Sequence, residues 1–216
     1  LVENGMTLDE KLRVVETIAL ALGYAHQKGV IHRDIKPSNI MIQKDGKPIL
    51  MDFGIAKSMR VRDKRLTQTG ELVGTPNYMS PEQARGDRDL DSRTDIYSLG
   101  GVLYEIILRK PLYSGISDMA VLYQIAKSHP LFPRQIDPDL SPEIEAIILR
   151  CLERDKSRRY QKAEDLADDI HRYLEGKATR AAEKYASTRL RWHVYEHKKK
   201  MILLGEIGRA SCRERG

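Results

Sequence analysis

Between Thr7 and Lys28, apolar residues fall at Leu8, Leu12, Val15, Ile18, Ala19, Leu22 and Ala25, the spacing of a helix with one buried face. Thr7 to Glu10 offers a capping box, Thr7 as N-cap and Glu10 reaching back, and Gly29 ends the element. Val30 and Ile31 then suit a short strand. Two further strands are predicted at 40–43 and 49–51, joined through Asp45 and Gly46, a pair that tolerates the positive φ of a tight hairpin. From Lys57 to Thr75 the periodicity stops. Lys57, Arg60, Arg62, Lys64 and Arg65 precede polar Thr67, Gln68 and Thr69, and a loop of this length inside a compact unit is usually a functional one.

The remainder reads as helix. Residues 94–108 are apolar on nearly every side and predict a buried central helix. Helical stretches follow at 117–129, at 141–154 with Ser141 as N-cap and Pro142 in the first turn, and at 162–174 with Ala163, Leu166, Ala167, Ile170, Tyr173 and Leu174 apolar. No internal repeat is visible. Residues 1–176 are expected to form one α+β unit, mainly α.

One stretch breaks the pattern. Residues 30–42, VIHRDIKPSNIMI, set His32, Arg33, Asp34 and Lys36 between apolar runs bound for a core. Isolated charges are expensive to bury, so these side chains should line a cleft. The predicted hairpin brings them close to Asp52, which opens a Gly-containing turn.

Net charge is +6 over 216 residues, but it is unevenly placed. Residues 177–216 carry 11 Lys and Arg against 4 Asp and Glu, a net +7, which leaves −1 for residues 1–176. A nucleic-acid-binding face across the whole unit is therefore disfavoured. Cys151 and Cys212 lack metal-site spacing, which points to a reducing cytosol, and Cys151 sits in an apolar helical run as a core residue. There is no signal peptide and no apolar run of about 18 residues. The chain opens at Leu1 without Met and is expected to be a piece of a longer one.

Asp34 and Asn39 stand five apart in a loop, with Asp52 after a strand and Lys36 two residues from Asp34. A few hard oxygen ligands, left incomplete by the protein, suit Mg²⁺ whose other ligands are water or phosphate. That set suggests phosphoryl transfer. HRDIKPSN, DFG, GTPNYMSPE, DIYSLG and a late Arg occur here in the order and spacing of the protein kinase superfamily, which the chain resembles from about Leu8 to Leu174. The resemblance implies a serine/threonine protein kinase of the eukaryotic-like type, similar to bacterial receptor-type kinases, present as its C-terminal lobe. The Gly-rich phosphate loop, the strand lysine and its partner glutamate, and the hinge are not found in the sequence.

Carried over by residue, the resemblance makes Asp34 the acceptor of the substrate hydroxyl's proton and Lys36 the cation that neutralises the transferred phosphate. Asn39 and Asp52 would hold Mg²⁺ and Met41 would lie beneath the adenine of ATP. His32 and Phe53 resemble residues that seat the loop on the central helix, where Asp95 would hydrogen-bond the loop backbone. Arg33 resembles the arginine of kinases switched by activation-loop phosphorylation. Thr67 and Thr69 are the candidate acceptors, with two plain solvated hydroxyls as the competing reading. Thr75 would belong to the loop that receives the residue after the target, and SPE replaces the more usual APE. Glu82 would pair with Arg159 in a structural role. Ser38 stands where many kinases selective for upstream Arg carry an acidic residue, so that preference is not expected.

Protein substrates follow from the resemblance, with signalling as the role and no nucleic acid as partner. Residues 177–205 resemble a basic juxtamembrane linker with the start of an apolar run, so the unit is expected on the cytoplasmic side of a single-pass membrane protein; an ordinary helical linker is the alternative. Residues 206–216 are similar to the conceptual translation of a sequencing adapter and are expected to be an artefact. With half the nucleotide site missing, the chain alone is expected to be inactive. A pseudokinase scaffold, an aminoglycoside-type phosphotransferase and a nucleic-acid-binding tail are the competing functions. The first has no support in Asp34, Lys36, Asn39 and Asp52, and the second lacks the GTPNYMSPE segment.

Overall fold

The computed structural model describes residues 5–53, 76–185, 187, 188, 190 and 192. Helix α1, Leu8–Gln27, begins on a capping box: Thr7 Oγ1 accepts from Glu10 N at 3.3 Å, and Glu10 Oε2 accepts from Thr7 N at 2.7 Å. A 3-10 turn at Pro37–Asn39 leads into β1, Ile40–Ile42, which pairs antiparallel with β2, Pro48–Leu50. Ile40 faces Leu50 and Met41 faces Ile49, and Gly46 takes φ 84° in the connecting turn. Strand β1 stops one residue before its predicted end, and β2 is shifted back by one. Backbone bonds from Gln43 N to Lys47 O (2.9 Å) and Met51 N to Asn39 O (2.8 Å) extend the pairing on both sides.

A second 3-10 turn, Pro76–Tyr78, precedes α2, Pro81–Arg85, a short helix that was not among the predicted elements. Then come α3, Arg93–Leu108; α4, Asp118–Lys127; α5, Pro133–Ile136; α6, Pro142–Cys151; and α7, Ala163–Leu174. Ser117 and Ser141 cap α4 and α6.

The core is built round α3. Ile96, Tyr97, Leu99, Val102 and Leu103 are fully buried, and each buried aliphatic side chain of this size contributes about 1.5–3 kcal/mol. Helices α1 and α6 pack against α3, and α7 packs across α1 and α6. Close approach of α6 requires Gly100: a Cβ there would stand 2.4 Å from Cys151 Cβ.

The outcome is a mostly helical fold with one two-stranded hairpin, the architecture implied by the resemblance, and no second sheet occurs among the described residues. No described helix is long and apolar enough to cross a membrane. The predicted strand at Val30 and Ile31 does not form. Val30 N instead donates to Ala25 O at 3.0 Å, closing the end of α1, and from His32 onward side chains rather than a strand partner hold the backbone. The predicted loop at 57–75, with Thr67, Thr69 and Thr75, lies outside the described residues, as does 206–216.

Candidate functional site

The loop from His32 to Asn39 is fixed from below by one carboxylate. Asp95, in the first turn of α3 and fully buried, accepts from His32 N (Oδ2, 2.8 Å) and from Arg33 N (Oδ1, 2.8 Å). A third donor, His26 Nε2 on α1, reaches Asp95 Oδ2 at 2.8 Å. Arg33 takes φ 65°, a left-handed conformation unfavourable for a side chain of this size. Its N–H is held by Asp95 and its carbonyl by Gln83 Nε2 of α2 at 3.0 Å. The strained residue is pinned on both sides of its Cα.

His32 ties this loop to the strand that leads to Asp52. Its Nε2 lies 2.9 Å from Met51 O, and Asp34 N lies 3.2 Å from its Nδ1. A carbonyl can only accept and an amide N–H only donate, so the two contacts specify the tautomer with its proton on Nε2. The buried ring also packs on Phe53 at 4.8 Å between centroids.

Above that base the polar side chains converge. Asn39 Nδ2 donates to Asp34 O at 2.8 Å and approaches Asp34 Oδ2 at 3.3 Å, while Lys36 Nζ stands 3.2 Å from the same oxygen. With its amide nitrogen used on Asp34, Asn39 keeps Oδ1 as the atom able to face a cation. Asp52, at φ 57°, follows Met51, whose N–H bonds Asn39 O. Its side chain is exposed. Among the described residues no group of three or more His, Cys, Asp or Glu could hold a metal ion by itself. Asn39 and Asp52 instead provide two hard oxygen donors, which fits a Mg²⁺ completed by phosphate and water. On the hairpin that follows Asn39, Met41 and its cross-strand neighbour Ile49 are both exposed, a small apolar pair.

Arg33 Nε is buried, with no hydrogen-bond partner among the described residues. Helix α2 is held by Glu82, whose Oε1 and Oε2 receive Arg159 Nη1 at 2.6 Å and Nη2 at 2.7 Å, with both residues buried. Thr94 Oγ1 adds a bond to Glu82 Oε1 at 3.0 Å. Burial alone would raise the Glu82 carboxyl, but the Arg159 hydrogen bonds and charge, with Thr94, hold it below its ordinary value. Tyr78, on the 3-10 turn before α2, donates to Glu105 Oε2 at 2.6 Å; burial and that carboxylate push its phenol well up.

Sequence reasoning missed His26 and Gln83. His26 sits in the last turn of α1, outside every recognisable motif, and only the packing of α1 on α3 brings it to Asp95. Gln83 carried a readable signal: Ser80 followed three residues later by Gln is a capping box, and both bonds are present, Gln83 N to Ser80 Oγ at 3.3 Å and Ser80 N to Gln83 Oε1 at 3.0 Å.

Comparison with known proteins places these features. A family model described as the protein kinase domain matches residues 2–171. A probable serine/threonine-protein kinase of Streptomyces coelicolor is 42% identical over 168 residues, 78% of this chain and 25% of its own length. The serine/threonine-protein kinase PknB of Mycolicibacterium smegmatis is 44% identical over 169 residues, 77% of this chain and 27% of its own. A probable PknB of Corynebacterium glutamicum is 38% identical over 191 residues, 86% and 29%. The chain thus spans about a quarter of the length of the curated relatives it matches.

Proposed function

Since the chain belongs to the protein kinase family, we propose that it is the catalytic-loop half of a serine/threonine kinase transferring the ATP γ-phosphate to protein Ser and Thr hydroxyls. The observation that carries the reading is the convergence of Lys36 and Asn39 on one carboxylate oxygen of Asp34, at 3.2 and 3.3 Å, with Asp52 next in chain to Met51, whose N–H bonds Asn39 O.

Each residue has a task set by its chemistry. Asp34 accepts the proton of the incoming hydroxyl and orients it, with Asn39 holding its main chain. Lys36 offsets charge on the phosphoryl group in flight. Asn39 Oδ1 and Asp52 would hold Mg²⁺, which supplies charge neutralisation on the phosphates when bound. Met41 and Ile49 would receive the flat face of the base. Positioning of this kind is most of what such an enzyme contributes.

Regulation follows from Arg33. A phosphate on Thr67 or Thr69 would offer charge-assisted bonds to its guanidinium, ordering the segment that Glu82 and Arg159 anchor at its other end. Thr75 would lie in the loop that meets the substrate. The 216 residues contain no glycine-rich phosphate loop, so the reading applies to the parent protein, acting on cytoplasmic protein substrates.

The test uses the parent protein. Phosphate transfer from ATP to a Ser/Thr peptide should fall by at least about 100-fold in Asp34→Asn, the range for loss of a positioned proton acceptor. Transfer that survives undiminished in that variant would sink the reading.

A further inference from the structure

Residues beyond α7 lie outside the match to the family model, which ends at 171. Gly176, at φ 69°, turns the chain back after Leu174. From there two buried acids of the lobe hold the chain.

Asp169 on α7 is fully buried. Its Oδ1 accepts from Arg180 N at 2.7 Å and its Oδ2 from Ala181 N at 3.0 Å, with Tyr160 Oη at 2.7 Å and Arg150 Nη1 at 3.6 Å completing the set. Glu145 on α6 is also fully buried. One oxygen accepts from Arg134 N at 2.9 Å; the other accepts from the hydroxyl of Tyr185. A buried carboxylate without its partners is costly. One oxygen of each acid, Asp169 Oδ1 and Glu145 Oε2, therefore takes its hydrogen bond from residues 180–185.

An apolar anchor lies further along. Trp192, the single tryptophan of the chain, is 1% exposed. Its ring stacks on His129 at 4.3 Å and lies 5.6 Å from Phe132, both in the connection from α4 to α5. Thr179 and Ala181 are buried as well. Helix α4 in turn packs against α2 and the 3-10 turn at Pro76–Tyr78, the segment that Glu82 anchors.

We propose that residues 177–185, with Trp192 beyond them, are a docked strap, an occupant in cis of the surface made by α6, α7 and the 128–132 connection. The strap completes the folded unit beyond residue 176 and clamps the connection that leaves α4. Buried-acid pairing fixes its first half and the indole fixes its end. This inference is independent of the phosphoryl-transfer reading.

Trp192 is its own reporter, in the full chain. The native emission should be blue-shifted and at least about tenfold less accessible to acrylamide than in urea, as expected of a segment that opens only by local unfolding. Arg180 and Ala181 amides should exchange slowly. Tyr185→Phe should raise quenching of Trp192, and Trp192→Ser should speed amide exchange at 126–132 while leaving 143–150 unchanged. A native spectrum indistinguishable from that in urea overturns the proposal. So does unprotected exchange at Arg180 and Ala181, quenching of Trp192 that ignores Tyr185→Phe, or exchange at 126–132 that ignores Trp192→Ser.

Discussion

His26 Nε2 donates to Asp95 Oδ2 at 2.8 Å across the interface of α1 and α3. The same carboxylate receives two consecutive backbone N–H groups of the loop, at His32 and Arg33. Three donors on one buried acid explain how a left-handed arginine stays in place: the helix pair supplies the rigidity and Asp95 transmits it.

Asp95→Asn keeps the shape and replaces one acceptor oxygen by a donor. At least one N–H then faces another N–H, and a buried donor without a partner costs about 1–3 kcal/mol. A loss of unfolding free energy of that size is expected, with faster amide exchange at His32 or Arg33. Unchanged stability would show that Asp95 does not hold the loop.

Arg159 and Glu82 form the other buried tie, and removing one partner strands the second. Arg159→Met should cost about 3–5 kcal/mol in urea unfolding. The pH dependence should change sign. In the native pair Glu82 is held below its unfolded value of about 4.3. Its contribution is therefore present above about pH 4.3 and is lost as pH falls through the lower folded value. Without Arg159, burial is left to raise the carboxyl, so the variant should gain stability on acidification over the range where the native chain holds or loses it. Parallel pH profiles would refute the assignment.

Cys151 is fully buried between α6 and α3, and burial pushes its thiol well up. The thiolate is the reactive form. Labelling by a thiol-specific disulfide reagent should leave Cys151 unmodified in the native chain at mildly alkaline pH and modify it fully after unfolding in urea. Prompt native labelling at Cys151, located by peptide mass, would contradict its placement in the core.

The helices were legible because periodicity and caps are local: Thr7, Ser117 and Ser141 cap where the sequence places helix starts. The hairpin was legible for the same reason, through Gly46. Val30 and Ile31 misled because two apolar β-branched residues look the same whether a partner strand waits for them or not. The residues of the loop announced themselves by breaking an apolar pattern, whereas His26 did not, since its partner is 69 positions away. Gln83 was concealed in a five-residue helix whose cap looked like part of a motif. The acids that bind residues 180–185 gave no sign either: Asp169 shares its helix with Glu164, Asp165 and Asp168, Glu145 shares its own with Glu143, and only packing tells which ones are buried.

Gly100 lies where α3 approaches α6 closely, and its absence of a side chain is a packing requirement. An alanine Cβ at that position would lie 2.4 Å from Cys151 Cβ and 3.4 Å from Leu152 Cδ2. The first contact is with an atom fixed to the α6 backbone, so no rotamer change relieves it; the helices must separate. Overpacking of this kind costs about 1–3 kcal/mol. Gly100→Ala should lower the unfolding free energy by that amount. Cys151→Ala should not rescue it, because alanine retains the offending Cβ. Cys151→Gly carries its own helix penalty of about 1 kcal/mol, yet the double variant should be more stable than the two single losses added together. Strict additivity in that cycle would mean that the two positions do not touch.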